Sequence, residues 1–166
     1  MQSLTEAMVW LALPGQDGQK EHLDVTKLLQ SEALRFEVRA FEEGHALTAD
    51  VAEGLTLRGD RVQLLTVVDV LLDNALKYCA PGGDICLTAR RCPALSRRTV
   101  QISVGNTGEE IPKQEQENIF KPFYQRDTGQ AGAGIGLSIA RQIAAALRGQ
   151  IRLEYRDGMN WFVAEL

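Results

Sequence analysis

GAGIGLSIARQIAAALRGQ, residues 132–150, puts a glycine at every second position three times and then runs straight into an amphipathic helical pattern. Glycine forms helices less readily than any residue but proline, so three of them at a helix start need a reason. Two readings compete. One is a flexible hinge; the other is a backbone that must come close to an anion, with the helix N-terminus behind it. Alternating glycines expose successive N–H groups as an anion nest, and the helix adds roughly half a positive charge at its N-terminus. The run lacks the Lys-Ser/Thr ending of a P-loop and does not directly follow a strand, so neither that motif nor the dinucleotide fingerprint fits.

Directly before it, residues 107–131 show no clear period beyond a short helical piece after Pro112. Loops this long inside a compact domain are commonly lids or binding elements. Upstream, LLDNALKY (71–78) ends a long helical pattern. Leu71, Leu72, Ala75 and Leu76 suit a core, while Asn74, Lys77 and Tyr78 share another face at i, i+3 and i+4. An amide oxygen, an ammonium and a phenol can serve a metal ion, a phosphate and a flat ring, or simply form a solvated face. GNTGEEIP (105–112) adds Asn106, able to read a heterocycle edge, and Gly108, able to pass close to a ring. Taken alone it is also an ordinary turn.

The remaining pattern is regular. Ser3 and Glu6 make a capping box before Leu4, Met8 and Leu11, and Pro14-Gly15 ends that helix. Residues 16–23 read as a linker. Asp24 caps a helix carrying Val25, Leu28, Leu29 and Phe36; HALTADV (45–51) and GLTLRG (54–59) alternate like strands. Asp60 caps the long helix, which ends near APGG (80–83). DICLTARR (84–91) and TVQISVGN (99–106) are strand-like, a helix is expected over 134–147, and IRLEYR (151–156) and NWFVAEL (160–166) close the chain. This order predicts a two-layer α/β sandwich: a mixed, mostly antiparallel sheet packed on about three helices, with a long lid.

With 166 residues and 45% hydrophobic content, a single core-bearing domain is expected. A formal charge of −4 excludes a broadly nucleic-acid-binding surface. Arg90, Arg91, Arg97 and Arg98 read as a solvated hairpin end. No run approaches the ~20 apolar residues of a membrane span, so no direct membrane contact is expected, and no leader is visible. Cys79, Cys86 and Cys92 match no zinc spacing and read as reduced packing residues, consistent with the cytoplasm. His22 and His45 have no catalytic neighbours in sequence.

Together, LLDNALKY, VGNTGEEIP (104–112), IFKPFYQRD (119–127) and GAGIGLSIA (132–140) resemble the N, G1, F and G2 boxes of the catalytic ATP-binding domain of sensor histidine kinases, in the GHKL superfamily with gyrase and mismatch-repair ATPases. The resemblance implies a Bergerat fold over residues 24–166, with 1–15 the remnant of a helical dimerisation domain. It implies ATP and Mg²⁺, with Asn74 holding the metal, Lys77 reaching the phosphates and Tyr78 lying against the nucleotide. Asn74 and Lys77 would carry the catalysis. It further implies nucleotide contacts from Asn106, Gly108 and Ile111, from Tyr124 and Arg126 of a lid anchored by Phe120 and Phe123, and from Gly132, Gly134, Ile135, Gly136 and Leu137. The implied partners are the histidine-bearing dimerisation domain and a response regulator. The isolated domain would be monomeric, and the parent kinase's own anchoring, in the inner membrane or not, stays open.

Four positions depart from the pattern. Asn106 stands for the usual Asp, which implies looser or less selective adenine binding; Glu110 replaces the second G1 glycine; Asn160 stands where many relatives have Thr. Val70, one helical turn before Asn74, occupies the offset at which water-splitting relatives carry a Glu base and many kinases an Asn. Neither His22 nor His45 is followed by an acidic residue on a long helix, so no phosphoacceptor box is present. The competing expectations are a degenerate nucleotide-sensing or scaffold module and a serine kinase acting on a regulatory protein.

Overall fold

A computed structural model of the chain describes residues 20–92, 99–126 and 134–166. The helix expected at 3–13, the first half of the linker, Arg97, Arg98 and Gly132 lie outside the described residues. In chain order the elements are β1 (Glu21–Asp24), α1 (Val25–Glu42), β2 (Ala46–Val51), β3 (Thr56–Gly59), α2 (Arg61–Tyr78), β4 (Asp84–Arg91), β5 (Val100–Thr107), α3 (Lys113–Gln116), α4 (Gly136–Ala146), β6 (Gln150–Arg156) and β7 (Met159–Glu165), with a 3₁₀ turn over Asn118–Phe120.

Both long helices start on the expected aspartates. The Asp24 carboxylate accepts from the Lys27 N–H at 3.1 Å and Asp60 from the Gln63 N–H at 3.0 Å, caps worth about 1 kcal/mol each. Five strands form one sheet in the order β2-β4-β5-β7-β6. Only the β2–β4 pair is parallel; β4–β5, β5–β7 and β6–β7 are antiparallel. Alternation sends Ile85, Leu87, Ile102, Val104, Phe162 and Ala164 to one face, where they meet Phe36, Leu64, Val67, Leu71 and Leu72 from the helices. Helices cover that one face, giving two layers.

Two details differ from expectation. The end of the presumed linker, Glu21–Leu23, is strand: β1 pairs antiparallel with β3, Leu23 opposite Leu57. The last helix starts at Gly136 rather than at 134. Between α1 and α2, Arg35 bonds Asp69 at 2.7 Å and Arg39 bonds Asp73 at 2.8 Å, and Arg35 also pairs with Glu32. Burial pushes the Asp69 carboxyl up, against the pull of Arg35. Arg90 pairs with Asp50, consistent with a solvated hairpin base. All three cysteines are free.

Candidate functional site

One cavity of about 520 Å³ opens between α2, the end of β5, the segment after the 3₁₀ turn, and the start of α4. Its helical wall is Thr66, Val70, Asp73, Asn74, Lys77 and Tyr78, the face opposite the buried Leu71, Leu72, Ala75 and Leu76. The i, i+3, i+4 spacing therefore delivers Asn74, Lys77 and Tyr78 to one hollow. The Lys77 ammonium lies 5.2 Å from the Tyr78 ring centroid.

The sheet contributes Asn106, 2% exposed, and after it Gly108, Glu109 and Ile111. The Asn106 amide nitrogen donates to the carbonyls of Tyr78 and Thr107, each at 3.3 Å. Those two carbonyls fix which way the amide faces and leave Oδ1 as its acceptor for a ligand. A Cβ added at Gly108 would meet only ordinary contacts at 3.7 Å, so the protein's own packing does not require a glycine there.

The far wall is Gly134, Ile135, Gly136, Leu137 and Ile139 at the start of α4. Among the described residues no side chain caps this helix; the Ser138 hydroxyl donates to the Ile135 carbonyl at 2.6 Å. The start of α4 lies at the cavity, and an uncapped helix N-terminus suits an anion. A Cβ on Gly136 would come 3.4 Å from Val70 Cγ1, so α4 starts close against α2.

Tyr124 and Arg126 line the mouth, and the Arg126 guanidinium bonds Glu115 at 2.6 Å. Phe120 and Phe123 part company. Phe120 is buried, edge-on to Phe162 with centroids 6.1 Å apart. Phe123 is 62% exposed with φ of +65°, so it does not anchor the segment as expected. Of the residues expected to contact the metal or nucleotide, all those described line this one cavity; Gly132 lies outside the described residues. Sequence reading missed Thr66, Asp73, Ile119, Ile139 and Phe162. The first two extend the Asn74 stripe by helical periodicity, a signal that was available. Asn160 also lines the cavity, and its amide bonds the backbone of 109 and 111.

Residues 59–166 match the family described as histidine kinase-, DNA gyrase B-, and HSP90-like ATPase. The chain belongs to this family. Among relatives of this ATPase family, the alginate biosynthesis sensor protein KinB of Pseudomonas aeruginosa is 35% identical over 138 residues, covering 82% of the chain and 22% of KinB. The chain thus spans about a fifth of that protein. The nucleotide-free catalytic domain of histidine kinase ThkA superposes with a TM-score of 0.79 at 27% identity, covering 89% of this chain and 95% of that domain. Full-length ShkA, solved with AMPPNP, gives 0.82 at 27% identity over 97% of this chain and 34% of its own. The two-layer architecture is that of histidine kinase catalytic domains.

Proposed function

We propose that this ATPase-family chain is the ATP-binding catalytic domain of a sensor histidine kinase, binding Mg-ATP and delivering its γ-phosphoryl group to a histidine on a separate helical domain. The observation that carries the reading is the convergence of Asn74, Lys77, Asn106 and the α4 N-terminus on one cavity. The AMPPNP bound to ShkA supports it by similarity. The adenine would lie by Asn106 and Gly108, its amino group donating to Oδ1. The phosphates would lie by Lys77 and the α4 N–H groups, with Gly132 and Gly134 wrapping them.

The donor set fits magnesium. Mg²⁺ takes few protein oxygens and keeps phosphate and water ligands, and Asn74 offers one amide oxygen on the cavity wall. Bound there, Mg²⁺ would neutralise charge on the phosphates. The chain's own residues position: Lys77 sets a cation on the phosphates, Tyr78 and Ile111 flank the base, and Arg126 stands at the mouth. Phosphoryl transfer needs mainly such positioning and charge neutralisation. Val70 on the cavity wall can neither accept a proton nor hold a metal, so hydrolysis stays slow and the nucleophile comes from outside.

The attacking imidazole nitrogen would form an N–P bond as the bond from the γ-phosphorus to the bridging oxygen breaks and ADP leaves. The response regulator would then take the phosphoryl group, in the cytoplasm. The test is transfer of labelled γ-phosphate to the parent kinase's helical domain, read as acid-labile phosphohistidine. Label on that histidine only when both parts are present supports the proposal. No label with a folded partner, although the chain binds Mg-ATP, favours a sensing module.

A further inference from the structure

The segment that follows β5 carries one glycine at its start and two glutamates, yet it forms part of the cavity wall at Gly108, Glu109 and Ile111. Among the described residues five hydrogen bonds reach it: the Gln116 Nε2 donates to the Ile111 carbonyl at 2.9 Å, and the other four come from the β6–β7 hairpin. The Gly158 carbonyl accepts from the Gly108 N–H at 3.2 Å, and the Tyr155 hydroxyl donates to the Gly108 carbonyl at 3.3 Å. The Asn160 Nδ2 donates to the Glu109 carbonyl at 2.7 Å, and its Oδ1 accepts from the Ile111 N–H at 3.3 Å. Asn160 is 6% exposed and pairs across the strands with Asn106.

These two neighbouring asparagines divide the work. Asn106 spends its nitrogen on backbone and keeps an oxygen for the ligand. Asn160 places one bond from each end of its amide on backbone. A threonine hydroxyl can also donate and accept, but its single oxygen, nearer the backbone, would have to serve both groups from one point, where the amide uses two separate atoms. Glu110 between them is exposed and has no positive φ, so the bend at 109–111 is not set by a glycine conformation. It is set from β7.

We infer that Asn160 is a positioning residue: it reads no part of the nucleotide but splints residues 109–111 and thereby fixes the base end of the cavity. This rests on the nucleotide reading above for what the cavity holds, but the splint itself is a property of the apo chain. Two measurements separate the two claims. In the chain without nucleotide, Asn160→Thr should speed amide exchange at Ile111 at least tenfold, while amides of α2 stay protected. With ligand, the same variant should weaken ATP binding about tenfold and leave binding of magnesium tripolyphosphate within twofold. Tyr155→Phe, at a partly exposed position, should weaken ATP binding by a smaller factor, with the same indifference to tripolyphosphate; it keeps the test open if Asn160→Thr does not fold. Unchanged Ile111 exchange, or equal losses for ATP and tripolyphosphate, would overturn the inference. A wild-type chain that binds neither ligand would instead count against the nucleotide reading, with Ile111 exchange still deciding the splint.

Discussion

Gly134 and Tyr124 meet across the cavity mouth: a Cβ on Gly134 would stand 2.8 Å from the Tyr124 carbonyl oxygen, and Gly134 has φ of +71°. The turn into α4 and the segment after Phe120 are therefore locked together by the absence of a side chain. Gly134→Ala places an L-residue in the left-handed region, costing roughly 1–2 kcal/mol before any overlap is counted. We expect thermal melting to fall and nucleotide affinity to drop at least tenfold, because both walls shift. Calorimetry on the variant checks both.

A second close approach concerns stability alone. A Cβ on Gly105 in β5 would lie 2.6 Å from the indole of Trp161, its partner on β7. Gly105→Ala should cost about 1–3 kcal/mol by overpacking. Trp161→Leu in the same chain should recover part of that loss. Denaturant titration of the single and double variants reads the coupling.

Acid should act through Glu165. The Gln150 amide at 2.8 Å, followed by Arg152 at 3.0 Å, holds this largely buried carboxyl below its usual range, against the opposing effect of burial. A depressed folded pKa means that the ionised form is favoured in the folded chain. Its stabilisation is present above the unfolded value of about 4.3 and is lost as pH falls through the lower folded value. Melting temperature should therefore fall more steeply from pH 6 to pH 3 in the wild type than in Glu165→Gln.

Much of this was written in the sequence, because it depends on local period. DICLTARR reads as a strand by strict alternation and is β4, residue for residue. The face shared by Asn74, Lys77 and Tyr78 follows from helical geometry, as does the burial of Leu71 and Leu72. What the sequence hid depends on distant partners. EHLD has a single apolar residue, and β1 exists because β3 lies beside it. Phe120 and Phe123 look equivalent in FKPF; only the turn that gives Phe123 its positive φ turns one of them outward. The bonds of Asn160 span 49 and 51 positions, and no local pattern announces them.

Titrating Mg-ATP into this chain and into Asn74→Ala, with and without chelator, measures the central claim most directly. The account predicts saturable binding by the wild type, weakened about tenfold by the variant, or about 1.4 kcal/mol, and only when magnesium is present. No binding at millimolar nucleotide, or the same constant for both chains, would contradict it.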